Sequence, residues 1–244
     1  MAEIEGGFEL GLRLREAGEA ELEGLVEEHF AEIDPPMTRH LFRNPVLTRQ
    51  LIERIAAAPR LVSAYEVRLE IARHGRTPRI VALRFVPGLR WPDLMRIGLD
   101  SRVHPLVRRA AENRLVERLP GLAVGEKIVL ARGGSQGLLR LLCTDPTPRV
   151  IDALLENPRL TEGILAPLVA SESTAPVILG KIAAHRRWGV RYPIRLALCR
   201  NPSTPLERAL ALLPMLKKRD LEAVAGDRRL KLPVRRRAEL LTRG

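Results

Sequence analysis

The chain repeats itself. Tyr65–Glu112 and Tyr192–Glu239 align at an offset of 127 without a gap and share 19 of 48 positions. The shared set includes Tyr65/Tyr192, Arg68/Arg195, Thr77/Thr204, Pro78/Pro205, Asp93/Asp220, Asp100/Asp227, Arg102/Arg229 and the run Val107–Arg109/Val234–Arg236. A biased composition gives only a few such matches, so this is internal homology. Whatever one copy folds into, the other must fold into as well, and tandem copies of a short unit favour stacked-repeat architectures.

A second echo, at offset 113, aligns NPVLTRQLIERI (44–55) with NPRLTEGILAPL (157–168). Related starts recur at DPTP (145–148), STAP (173–176) and NPSTP (201–205). These read as helix entrances. A short polar side chain caps free N–H groups, and proline is tolerated in the first turn. In 201–214, Thr204 is the expected cap and Pro205 the first helical residue, with Leu206, Leu210 and Leu213 on one face and Pro214 at the stop. Further short helices are expected around Leu221 and Val224 and around Val234 and Ala238. VRLEIARH (67–74) alternates like a strand, but its counterpart IRLALCRN does not, so helix is the joint reading.

Composition agrees. Of 244 residues, 45% are hydrophobic and only 3% aromatic, and the apolar content is mostly Leu and Ala, which favour helix over sheet. The expected fold is all-α: short helices broken by 19 prolines, stacked into an α-solenoid, whose right-handed superhelical form is what the family resemblance given below implies. No apolar run reaches membrane-spanning length, and the amino terminus is acidic, unlike a signal peptide; a cytoplasmic protein is the expectation.

The net charge of +12 is unevenly divided. Residues 1–34 hold eleven acids and two bases, or −9; the rest holds 39 bases and 18 acids, or +21. Two parts follow: an acidic amphipathic lead-in over 1–34 and a helical-repeat body over 35–244. The lead-in reads as a solubilising terminus, as a screen for the basic body, or as a tail that docks on another protein.

The NPxxT and NPSTP entrances, LxxALxLLP at 206–214, and VRRAAE and VRRRAE at 107–112 and 234–239 resemble the HEAT-like and leucine-rich-repeat-variant superhelices of bacteria. The resemblance covers roughly 40–242. It implies a repeat scaffold that binds protein or nucleic acid; one HEAT-like family excises alkylated bases from DNA. The iron–sulfur domain of the leucine-rich-repeat-variant family requires a cysteine cluster. This chain has only Cys143 and Cys199, so no cofactor is carried over.

Catalytic and metal motifs are lacking in the sequence: the five histidines are scattered, with no HExxH and no zinc-type spacing. Both cysteines sit in apolar runs and read as buried thiols. ARGGSQG (131–137) reads as an interhelical turn, with a phosphate cradle as the sharper alternative. Asp93, Asp220, Asp100 and Asp227 read as helix caps, because a catalytic acid seldom needs a duplicate. The remote enzymatic reading, a DNA-base glycosylase, has only Asp93 near Trp91 to offer.

The arginines carry more. Arg108, Arg109, Arg235, Arg236 and Arg237 occupy repeat-related places, and Arg186, Arg187 and Arg191 surround Trp188 and Tyr192. On one face they would form a ridge for the phosphate backbone of a nucleic acid, without base readout. The first expectation is a non-catalytic scaffold for a protein partner, with Trp91, Trp188 and Tyr192 as candidate aromatic anchors; sequence-nonspecific nucleic-acid binding is the alternative.

Overall fold

Proline sets where the helices begin. Pro35, Pro59, Pro105, Pro148 and Pro176 each occupy the first helical position, where a missing N–H costs nothing. The computed structural model describes residues 2–243, with side chains from residue 9 onward; Glu3 and Glu5 of the acidic lead-in thus lie outside the described side chains.

Among these residues the chain forms eighteen α-helices and no strand. They are α1 (Ala2–Glu16), α2 (Glu19–His29), α3 (Pro35–Leu41), α4 (Arg49–Ala57), α5 (Pro59–Val62), α6 (Tyr65–Arg73), α7 (Arg79–Phe85), α8 (Trp91–Leu99), α9 (Pro105–Arg118), α10 (Val124–Gly133), α11 (Gln136–Leu142), α12 (Pro148–Leu155), α13 (Glu162–Ala170), α14 (Pro176–Ala184), α15 (Tyr192–Arg200), α16 (Leu206–Leu212), α17 (Lys218–Gly226) and α18 (Leu232–Arg243). Turns of 3₁₀ helix occupy Val86–Gly88, Leu119–Gly121 and Leu213–Met215.

The helices form two compact units, one ending at Pro120 and one beginning at Gly121. In the first unit, α1, α3, α6 and α8 pack in succession, with α7 and α9 alongside. Residues up to 34 are part of this packing: Leu14, Leu22, Val26 and Ile33 are fully buried in it. In the second unit, α10, α12 and α14 form one row, and α11, α13, α15 and α17 form another. Fully burying each Leu or Ile contributes about 1.5–3 kcal/mol, and the short helices bury from one residue (α5) to five (α12) each. No helix is long enough to hold itself, so neighbours must.

The duplication is wider than the sequence identity. Seven elements recur with starts 127 residues apart: α3/α13, α4/α14, α6/α15, α7/α16, α8/α17, α9/α18 and two 3₁₀ turns. Side-chain bonds recur with them. The Tyr65 hydroxyl donates to Asp93 at 2.6 Å and accepts the Arg90 N–H at 2.9 Å. Tyr192 donates to Asp220 and accepts the Lys217 N–H at 3.0 Å. Arg60 donates to the carbonyls of Phe30 and Ile33, and Arg187 to those of Asn157 and Leu160. This last pair lies before Tyr65 and Tyr192, where identity at the same offset thins to a few positions such as Ile55–Ala57/Ile182–Ala184.

Three asparagines tie their segments to helices that precede them in the chain. The amide of Asn44 donates to Leu14 O and Ala17 O at 3.0 and 2.9 Å, and Asn201 does the same to Val169 O and Ser171 O at 2.7 and 2.9 Å. Asn157 donates to Ala131 O at 2.8 Å. Each side-chain oxygen accepts an N–H two residues on, from Val46, Arg159 and Ser203. All three side chains are at least 96% buried, so every polar atom needs a partner.

These contacts correct the expected caps. Thr204 is not a cap: it is buried, and its hydroxyl donates to Leu198 O at 2.7 Å, while Pro205 precedes the first helical residue. Asp93 and Asp220 sit inside the first turns of α8 and α17 and receive the tyrosine hydroxyls. Asp100 and Asp227 are caps, at the C-terminal ends of α8 and α17, and their carboxylates accept the Arg102 and Arg229 N–H groups. Thr48, within the NPVLT entrance, does cap its helix, accepting from Leu51 N. The segment 67–74 is helical through Arg73, and ARGGSQG forms the α10–α11 junction, with Ser135 capping α11.

Candidate functional site

The second unit presents a trough along its α10–α12–α14 row. It has a volume of about 600 Å³ and is lined by Ile128 and Arg132 from α10, by Arg149, Asp152 and Glu156 from α12 and its end, and by Lys181 and His185 from α14 and its end. The helical period places these groups on one side: Arg149, Asp152 and Glu156 recur at three and four residues, while Val150, Ile151, Leu154 and Leu155 point into the core.

The trough carries both signs of charge. Lys181 Nζ meets Asp152 at 2.7 Å, and His185, whose Nδ1 accepts the Arg187 N–H, donates its Nε2–H to Glu156 at 3.1 Å, each contact reaching 29 residues back to the preceding helix of the row. Both pairs face water, with 47% and 73% of the acid side chains exposed, so each contributes at most about 1 kcal/mol. Arg132 and Arg149 make no ion pair among the described residues, which leaves two guanidinium groups for an incoming partner.

The predicted arginines divide into three groups. Arg187 and Arg191 are occupied: Arg187 clamps the two carbonyls named above and stacks 4.4 Å over Trp188, and Arg191 pairs with Glu162 at 2.7 Å. Arg108 and Arg235 are half-buried flanking residues of α9 and α18, each with a buried, unpartnered Nε. Arg109, Arg186, Arg236 and Arg237 are exposed and make no ion pair among the described residues. They sit on three separate elements: α9 in the first unit, and the α14–α15 turn and α18 in the second.

The aromatic candidates are structural to differing degrees. Trp188 is 1% exposed and donates its indole N–H to Leu155 O at 2.9 Å, so it has no free face for a partner. Tyr192 is half-buried with its hydroxyl bonded on both sides, and Trp91 is half-buried. Burial, and then the bond to Asp93, raises the Tyr65 phenol above its ordinary pKa; burial and Asp220 do the same for Tyr192.

Nucleophile chemistry finds little support. Burial pushes the Cys143 and Cys199 thiols up to about 11 and about 12, so both are protonated at neutral pH. Among the described residues, no three His, Cys, Asp or Glu side chains are placed to share a metal ion, and no helix is long and apolar enough to cross a membrane.

The trough residues lie outside both the 48-residue repeat and the arginine clusters on which the sequence reading drew. The i, i+3, i+7 spacing of Arg149, Asp152 and Glu156 was the signal that could have marked them. Comparison of the chain with family models, curated proteins and solved structures yields no significant match.

Proposed function

We propose that the chain is a non-catalytic helical-repeat scaffold, with each unit built as an α-solenoid, and that it holds a polypeptide partner in the α10–α12–α14 trough. The solenoid reading is supported by the reach of the bonds between helices. Asn44, Arg60, Tyr65, Asn157, Arg187 and Asn201 all bond about one repeat away, 23 to 32 residues in sequence. That reach is what tandem stacking requires. The right-handed superhelix is the form that the family resemblance implies.

One observation carries the partner reading: the trough alternates positive and negative side chains that are only weakly committed to one another. A polyphosphate would meet Asp152 and Glu156, and burying those carboxylates against phosphate is repulsive. A peptide with both signs of charge can exchange partners with Lys181–Asp152 and His185–Glu156 at little cost, and can engage Arg132 and Arg149 directly. The nucleic-acid reading would rest instead on Arg109, Arg186, Arg236 and Arg237.

Selection of peptides from a display library against the full chain tests the proposal. The expected ligands carry both charges and lose binding when Asp152→Lys and Glu156→Lys are combined. If no peptide is selected, and duplex or single-stranded nucleic acid binds in a salt-sensitive manner that Arg236→Glu/Arg237→Glu abolishes, the phosphate-backbone reading replaces it.

A further inference from the structure

We propose that the first unit holds a binding site for the phosphate group of a small phosphomonoester, formed by Arg49, Arg76, Arg79 and His104 around a cavity of about 370 Å³. That volume lies within the range of about 300–1,000 Å³ occupied by small-ligand sites. No carboxylate is among its lining residues, in contrast to the mixed trough of the second unit.

The three guanidinium groups and the His104 ring are positioned to act together as donors. Arg49 is the first residue of α4, Arg79 the first of α7, and His104 the cap of α9, so three separate elements deliver them to one cavity. Arg76 is anchored by its Nη1 on Leu47 O at 3.1 Å, which orients the fork and leaves its other N–H groups available. Arg49 and Arg79 make no ion pair among the described residues. The Nδ1 of His104 accepts the Leu106 N–H at 3.2 Å, which assigns the ring proton to Nε2 as a donor. The field at the start of the fourteen-residue α9 adds to the attraction for an anion.

Two further observations set this apart from general surface arginine. Thr77, 6% exposed and lining the same cavity, has a buried hydroxyl without a partner, whereas its repeat counterpart Thr204 donates to Leu198 O. The counterparts of Arg49, Arg76 and Arg79 in the second unit are Pro176, Ser203 and Leu206. The Thr-Pro backbone frame is therefore kept in both copies, while the guanidinium groups are present only in the first. Ile80, 76% exposed at the rim, offers an apolar surface to the organic part of the ligand.

The test is calorimetric titration of the full chain at low salt with inorganic phosphate, AMP and adenosine. The proposal expects saturable binding of AMP, competition by inorganic phosphate, and none by adenosine. Combining Arg49→Glu with Arg79→Glu should weaken AMP by about a hundredfold, since each lost charge-assisted contact is worth about tenfold or more. Arg236→Glu should leave binding unchanged, and Arg49→Gln/Arg79→Gln provides the same readout should the glutamates perturb folding. No saturable binding of AMP in the millimolar range would overturn the proposal. So would equal binding by the native and doubly substituted chains, or competition by adenosine as effective as that by phosphate.

Discussion

Tyr65 gives its hydroxyl proton to Asp93 across 28 residues, at 2.6 Å, and the same oxygen accepts the backbone N–H that opens α8. One side chain thereby ties α6 to the start of α8. Asp93 is 91% buried and also receives Arg96 at 3.1 Å. Tyr65→Phe would remove one donor from a buried carboxylate and one acceptor from the Arg90 N–H. We expect a loss of about 1–3 kcal/mol in urea denaturation, and a comparable loss for Tyr192→Phe.

The asparagine links should be costlier per atom removed. Asn157→Ala would strip a buried amide that serves Ala131 O and, at 3.4 Å, Gly134 O, and would also free the Arg159 N–H. Since each buried unsatisfied group costs about 1–3 kcal/mol, a loss of at least about 2 kcal/mol is expected in the same assay. Asn157→Asp should not rescue it, because a carboxylate cannot donate to carbonyls.

Two glycines separate close packing from open helix. A Cβ on Gly189 would overlap the Ala183 carbonyl oxygen, so Gly189→Ala should destabilise by about 1–3 kcal/mol through backbone displacement. Gly24 lies mid-helix in α2 with nothing near its missing Cβ. Gly24→Ala should stabilise by about 0.5–1 kcal/mol, read as a raised thermal midpoint.

Acid stability should depend on Asp145. Burial works to raise its pKa, but the Thr147 N–H and the Lys127 ammonium at 3.0 Å outweigh that and hold it below the ordinary 3.8. Because the folded pKa is the lower one, the contribution is complete above the unfolded value and fades as pH falls through the folded value. Urea titrations from neutral pH down through the carboxylate range should show a smaller acid loss for Asp145→Asn than for the native chain. Parallel curves would contradict this assignment.

The helical fold was legible because apolar spacing and proline placement are local properties. Pro105 and Pro148 mark helix starts wherever they stand in the stack. The caps were less legible: Thr204 and Asp93 have the right residue type at nearly the right place, but each spends its oxygen on a tertiary bond instead. The candidate site was hardest to read. Arg187 and Arg149 are both exposed-type residues in the sequence, yet one is consumed by two carbonyls 27 and 30 residues away and the other faces the trough. Only the stacking of distant helices decides which arginine remains available.

Hydrogen exchange of the full chain with a selected mixed-charge peptide bound tests the scaffold account most directly. The account predicts protection concentrated in α10, α12 and α14, lost with Asp152→Lys/Glu156→Lys. Protection absent from those three helices and confined to α18 around Arg235–Arg237 would contradict it.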